Sequence, residues 1–222
     1  MTKTRGYESD DIRIRYHADR CIHAARCVDG LPRVFDRDRR PWVDPSAASA
    51  DEVAAVVESC PTGALEYERL DGGGAEAPPS RTTLRLEPDG PIYGHGRIEI
   101  RDSEVGDVAG VWRIALCRCG ASRNKPFCDG SHSGSGFRDA GQVGEARPRP
   151  ISAETPADLG VRPLRDGPLL LDGRFVLRDV DGTEWEGGGG ALCRCGGSSS
   201  KPFCDGTHRR IGFRSDDPQG PD

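Results

Sequence analysis

Lysine is almost missing from this chain. Of 31 basic residues only Lys3, Lys125 and Lys201 are lysines, and the other 28 are arginines. Apolar residues are also sparse: hydrophobic content is 35%, with 30 glycines, 17 prolines and one methionine, and mean hydropathy is −0.61. Such a chain is loop-rich with small cores, which bound metal would supplement. No apolar run approaches the roughly 20 residues of a membrane span, and the N-terminus lacks the apolar core of a secretory signal. A soluble, cytoplasmic protein with no membrane partner is expected. A net charge of −5 argues against nucleic acid as a partner. No nucleophile–base constellation, nucleotide loop or pair of catalytic carboxylates is present, so no catalytic residue is assigned and no enzyme is expected. Gly187 to Gly190 is followed by no Lys-Ser/Thr and is read as a mobile loop, not a phosphate loop.

Nine cysteines are present, an odd count that argues against a closed disulfide framework. They fall into three groups of three: Cys21, Cys27 and Cys60; Cys117, Cys119 and Cys128; Cys193, Cys195 and Cys204. The second and third groups belong to one pattern written twice, C-x-C-x8-C-x3-H, closed by His132 and His208 and displaced by 76 residues. Ser122 maps on Ser198, Pro126 on Pro202 and Phe137 on Phe213, so this is an internal repeat. Three thiolates and an imidazole are a soft donor set that suits zinc or iron and not magnesium or calcium. Cys117 and Cys119 reach the same side of an extended turn, and Cys128 and His132 share a face if their segment is helical. Asp129 stands where a carboxylate accepts N–H bonds at a helix start, and Pro126 suits its first turn or just before. Zinc sites space their close ligands C-x2–4-C, which C-x-C with a long gap fits poorly.

The run C-x-C-x2-S-x3-P-x-C-D-G-S-H resembles the CDGSH iron–sulfur, or NEET, proteins over residues 81–214. The second copy departs only in Thr207, which keeps the hydroxyl. The resemblance implies two 2Fe–2S clusters, one on Cys117, Cys119, Cys128 and His132 and the other on Cys193, Cys195, Cys204 and His208. It implies that Ser122, Asp129, Ser198 and Asp205 support those ligands. It also implies a monomer in which the two copies form an internal pseudo-dimer, with strands in a shared β-cap above two cluster-bearing halves. A histidine ligand raises the reduction potential and makes the site proton-sensitive, because protonated imidazole cannot hold iron.

Further towards the N-terminus, residues 1–10 read as polar and frayed. Ile12 to Tyr16 alternates apolar and basic residues as a strand. Ser49 and Glu52 form a capping box opening a helix that runs towards Cys60 and stops at Pro61, and Gly63 to Tyr67 reads as a second strand. The wording CIHAARCV…VFD…CPTGAL, over about residues 8–69, resembles the divergent 4Fe–4S mono-cluster ferredoxins. Cys21, Cys27 and Cys60 match three ligands, while Ala24 occupies the usual middle cysteine position. Three thiolates make 3Fe–4S the simple expectation; a 4Fe–4S cluster needs a fourth ligand, for which His23 or a water is the candidate. His17, at a strand end, is read as a surface histidine, and His95 as a turn residue. Trp42, Trp112 and Trp185 are read as packing residues, and Phe127 and Phe203 as shields of the clusters.

The expected class is α+β: a small ferredoxin-like domain (8–69), a linker (70–80), a first CDGSH repeat (81–139), a connector (140–160), a second repeat (161–214) and a disordered acidic tail (215–222). One-electron transfer with a redox partner protein leads among the functions. Cluster storage or transfer to an apo iron–sulfur acceptor, or redox and pH sensing, comes next. A zinc-stabilised interaction module is the third.

Overall fold

The computed structural model describes residues 4–101 and 106–216, which divide into two compact units, Met1–Ala77 and Pro78–Asp222. The first unit is a three-stranded antiparallel sheet, order β1–β2–β3, with two helices: β1 (Thr4–Glu8), β2 (Ile12–His17), α1 (Arg26–Gly30), α2 (Ala50–Glu58) and β3 (Leu65–Arg69). Alternation builds β2, where Ile12 and Ile14 are fully buried while Arg13 and Arg15 turn outward to Glu68. In α2, the Ser49 side chain accepts the Glu52 N–H and the Glu52 carboxylate accepts the Ser49 N–H. Ala50, Val53, Ala54 and Val57 then form the buried stripe, at helical spacing. The helix ends at Glu58, two residues short of Cys60.

Residues 4–8 are not frayed. They form β1, an edge strand in register with β2 from Thr4 opposite His17 to Glu8 opposite Arg13. Only Tyr7 of the five packs against the core, so the strand carries no alternating pattern to find. Residues 1–3 lie outside the described residues.

The second unit is mostly β: β4 (Thr83–Leu86), β5 (Ile92–Ile100), β6 (Val108–Leu116), β7 (Leu159–Pro163), β8 (Leu169–Arg178), β9 (Glu184–Leu192) and a one-turn α3 (Thr207–Arg210). Each copy of the repeat supplies three strands, and the copies exchange pairing. β4 pairs antiparallel with its own β5 but parallel with β8, and β7 pairs antiparallel with its own β8 but parallel with β5. The ring β4–β5–β7–β8 therefore closes, with β6 added to β5 and β9 to β8. Both copies fill one core, in which Leu84, Ile92 and Leu116 meet Leu159, Leu177 and Leu192.

Three expectations fail here, each because a distant segment packs against the residues concerned. Gly187 to Gly190 is no mobile loop; it lies within β9, because Arg149 pairs with it on one side (Arg149 N–H to Gly189 carbonyl, 2.8 Å) and β8 on the other. A Cβ on Gly188 would stand 2.9 Å from the Pro150 carbonyl oxygen, so side chains are excluded by that approach. His95 belongs to β5, opposite Thr83 and Arg113, and is not in a turn. Ser215 is buried and its N–H donates to Asp166 at 2.8 Å, so the chain stays ordered that far; residues 217–222 of the expected tail lie outside the described residues.

Leu177 faces Leu84 across the closing β4–β8 pair and is fully buried. Leu177→Ala is expected to cost about 2–5 kcal/mol, against about 0.5–2 kcal/mol for Ser49→Ala at the helix cap. Urea unfolding of each unit, followed separately, checks both values.

Candidate metal centres

In each repeat the strand preceding the motif delivers the first two cysteines, and a turn folds the other two donors back beside it. The Cys117 N–H donates to the Pro126 carbonyl at 2.9 Å and the Cys128 N–H to the Ala115 carbonyl at 2.8 Å. The second copy does the same, Cys193 to Pro202 at 2.8 Å and Cys204 to Ala191 at 2.9 Å. The long gap of the motif is thus a hairpin-like return. Ser122 and Ser198 brace it by donating to the Phe127 and Phe203 carbonyls, each at 2.7 Å. Asp129 accepts the N–H groups of Arg123 and Ser131; Asp205 accepts those of Ser199 and Thr207. Burial pushes the Asp129 carboxyl up, but these hydrogen bonds together hold it below the ordinary carboxylate range. Asp205, with its bonds from Ser199 and Thr207, sits lower still.

The donors come in close pairs. Cys117 Sγ and Cys119 Sγ are 3.7 Å apart, as are Cys193 Sγ and Cys195 Sγ. Cys128 Sγ and His132 Nδ1 are 3.3 Å apart, as are Cys204 Sγ and His208 Nδ1. Two thiolates on one tetrahedral metal at about 2.3 Å would stand about 3.8 Å apart, close to the 3.7 Å of each Cys-x-Cys pair. Among the described residues, no three His, Cys, Asp or Glu side chains gather round a single metal position. The expected helix between the last two donors is only one turn in each copy, Ser131–Ser133 and Thr207–Arg210, which is enough to bring residues four apart together.

The sulfurs are electrically prepared. The hydrogen bond within each C-x-C pair lowers one thiol and raises the other, so each pair favours a single thiolate. Backbone N–H groups of Ala121, Gly130 and Gly206 point at Cys119, Cys128 and Cys204 sulfurs, each at 3.4 Å. Burial pushes Cys128 up to about 12 and raises Cys204 as well. Burial lowers both His132 and His208 below the ordinary histidine value, which keeps each ring neutral and able to act as a ligand.

The two motifs touch. Cys119 and Cys195 form an antiparallel bridge, with Gly120 and Gly196 immediately beside it. Both glycines have left-handed backbones (φ +85° and +81°), and a Cβ on either would stand 2.7 Å from the carbonyl oxygen of the cysteine opposite. The arginine inside each C-x-C is buried. Arg118 reaches the Glu87 and Gly90 carbonyls and the Asp139 carboxylate, and Arg194 reaches those of Leu164 and Gly167. Their place between the two cysteines of each C-x-C was the signal in the sequence that could have marked them.

The aromatic shields are not where they were expected. Phe203 and Phe127 pack into the strand core, whereas Phe213 is buried against Cys193 and Cys195. The Lys125 ammonium lies 5.9 Å over the Phe213 ring, so the first repeat's lysine braces the second repeat's aromatic. Lys201 donates to the Ser198 carbonyl at 2.6 Å.

In the first unit, Cys21, Cys27 and Cys60 line one cavity of about 740 Å³, together with Tyr16, Trp42 and His23. Burial and the neighbouring Cys60 and Cys21 raise the Cys27 thiol, and burial with the Cys21 hydrogen bond raises the Tyr16 hydroxyl. Two non-glycine residues of the Cys21–Cys27 loop, His23 (φ 58°) and Ala25 (φ 62°), hold left-handed backbones, a conformation that persists where the surroundings impose it. Ala24 and His23 are exposed on that loop. His17 is not on the surface: its ring is largely covered, with Nδ1 3.1 Å from Thr4 Oγ1 and Nε2 3.2 Å from Glu66. It ties β1 to β3 through contacts that no local sequence pattern signals. Trp42 packs edge-on against Tyr16 at 5.0 Å, and Trp112 and Trp185 lie half-buried under Arg97 and Arg147.

Comparison with known proteins agrees with these two kinds of centre. The family described as divergent 4Fe–4S mono-cluster matches residues 7–70, and the family described as iron-binding zinc finger, CDGSH type, matches residues 89–133 and 166–209. Over 63 residues the chain is 33% identical to the Escherichia coli K12 protein printed as uncharacterized protein YjdI, covering 28% of this chain and 83% of that one. The O157:H7 counterpart matches identically. No solved structure matches. The chain belongs to the iron–sulfur-binding proteins, joining a divergent 4Fe–4S mono-cluster domain to two CDGSH-type iron-binding domains.

Gly120→Ala and Gly196→Ala should each lower the melting temperature and the iron content of both motifs at once, since the new methyl strikes the opposite copy. Gly206→Ala, equally left-handed but with open space around its Cβ, should cost only the backbone strain of about 1–2 kcal/mol. Calorimetry with iron analysis of the three variants checks this.

Proposed function

We propose that this chain is a one-electron carrier with three centres: two 2Fe–2S clusters, each on three cysteines and one histidine, and one 3Fe–4S or 4Fe–4S cluster on Cys21, Cys27 and Cys60. Bound clusters would supply reversible one-electron exchange at potentials set by their ligands and surroundings. The pairing of donors carries the reading. Two separate donor pairs per motif, with no third His, Cys, Asp or Glu gathered at either among the described residues, suit a binuclear cluster in which each iron takes two protein ligands. A lone zinc ion would draw all four donors to one point. The three N-terminal thiols line one cavity, which suits a cluster whose irons are each held by a different cysteine. His23, exposed on the same wall, is the candidate fourth ligand.

On this reading residues 81–139 and 161–214 form an intramolecular pseudo-dimer, supported by the reciprocal parallel pairing of β4 with β8 and β7 with β5. The protein is a soluble, cytoplasmic monomer serving a redox partner; no helix among the described residues is long and apolar enough to cross a membrane. Ser122, Asp129, Ser198 and Asp205 hold the ligand turns, and the half-buried histidines stay neutral.

A second reading, delivery of a cluster to an apo acceptor, is favoured at the second motif, where Cys204 is half-buried while its counterpart Cys128 is buried.

Anaerobic purification with iron and sulfide analysis tests the first reading. About seven or eight irons per chain are expected, seven if the N-terminal centre is 3Fe–4S. About four irons would remove the N-terminal cluster, and a colourless zinc protein would end the redox reading.

The histidines set the pH dependence. Iron needs the neutral ring, and the folded environment lowers both histidine pKa values. Both clusters should therefore be stable at neutral pH and be lost on acidification, at a pH below the ordinary histidine value of about 6.5. In His132→Cys and His208→Cys this acid step should move to lower pH and the potential should fall, as followed by absorption and redox titration. Delivery to an apo-ferredoxin that persists in His208→Cys would sink the second reading.

A further inference from the structure

The first unit has ten arginines among its described residues, and they divide cleanly. Six form ion pairs with carboxylates: Arg13, Arg15, Arg20, Arg33, Arg39 and Arg69. The remaining four, Arg5, Arg26, Arg37 and Arg40, have no carboxylate partner among the described residues, and all four line the cavity that holds Cys21, Cys27 and Cys60. No aspartate or glutamate lines that cavity. Cations and anions placed at random on a surface with so many acidic side chains would not separate this way. Four unneutralised charges ring one opening, in a chain whose net charge is −5.

Two roles could explain such a ring. Arginines that merely balance the charge of a bound cluster would be turned inward and covered. These four are exposed, so their charge is directed at solvent and at whatever approaches the opening. From this we infer that the mouth of the N-terminal cavity is a docking surface for an acidic protein partner, which would bring a carboxylate-rich face over the Cys21, Cys27 and Cys60 centre. The inference rests on reading those cysteines as a redox centre. Exposed arginine–carboxylate pairs each add little affinity, which suits a partner that must leave after each electron. Their summed field acts on encounter instead, raising the association rate and fixing orientation. Because the chain as a whole is acidic, an acidic partner is repelled elsewhere and guided to this opening.

The test uses the full, cluster-loaded chain and fluorescein-labelled poly-L-glutamate, followed by anisotropy at low and high salt. Arg26→Gln/Arg37→Gln removes two charges from the ring, and Arg162→Gln/Arg174→Gln removes two exposed charges from the second unit. Iron content of each variant is checked first. The expected result is salt-sensitive binding that falls roughly fivefold in the ring variant and little in the control. Equal losses in the two variants would mean that net charge alone matters, and would overturn the inference. So would displacement of the polymer by citrate at matched charge, which would make the cavity a small-anion site. A parallel measurement separates this inference from the redox reading. Dithionite-reduced protein is oxidised by ferricyanide or by hexaammineruthenium(III), each taking one electron, and the ring variant should slow the anionic oxidant selectively. Ring-dependent polymer binding without electron exchange at the N-terminal centre would uphold the docking surface and remove the electron-carrier role.

Discussion

Much of the second unit follows from how closely its two copies approach at the cysteines. The Cys119–Cys195 bridge places backbone against backbone, so the residues beside it, Gly120 and Gly196, can carry no side chain. Each Cys-x-Cys pair is thereby anchored on the opposite copy and not only on its own strand. The exchanged pairing of β4 with β8 and β7 with β5 repeats the arrangement on the strand side and encloses one common core. A chain with so little apolar content gains from this: one core made by two copies buries more than two separate small ones would.

Around that contact, backbone hydrogen bonds do most of the positioning. The turn carrying the last two donors is fastened to the strand by main-chain bonds on both sides and braced by a serine hydroxyl and an aspartate carboxylate. The donors are therefore in place as pairs, and burial keeps the imidazoles neutral before any metal is considered. Preorganisation of this kind spares a site the cost of ordering its ligands when it is loaded. The buried Arg118 and Arg194, with Phe137 and Phe213 packed over them at 5.3 and 5.5 Å, close the far side of the ligand turns. Buried guanidinium groups are stable only when their donors are satisfied, and here backbone carbonyls do most of it.

The first unit is built differently. Its sheet and capped helix need no second copy, and its three cysteines come from a strained loop and a helix end that meet at one cavity. Charge, not backbone contact, is its distinctive feature: paired arginines on the sheet face and unpaired ones round the opening. That separation follows from register, since Arg13 and Arg15 fall opposite Glu68 and Glu66 across β2–β3. Of the cavity arginines, Arg5 falls opposite Tyr16, which carries no carboxylate, and Arg26, Arg37 and Arg40 lie outside the strands.

The cysteines and histidines that the structure brings together, and the repeat that carries two of the groups, were legible in the sequence because spacing and duplication are properties of the chain as written. So was the capping box at Ser49 and Glu52, whose partners are three residues apart. What failed depended on distant neighbours. β1 is polar and is a strand only because β2 lies beside it; β9 needs glycines because Arg149 and Pro150 press on it; His17 is covered because β1 and β3 flank it. The division of the ten arginines into paired and unpaired could be read only once the carboxylates had positions. Sequence by itself determined which atoms can hold metal, since that depends on element type and local spacing. Tertiary structure decided how the two copies share strands, which phenylalanine covers the cysteines and where charge is left uncompensated, because those depend on approaches between residues far apart in the chain.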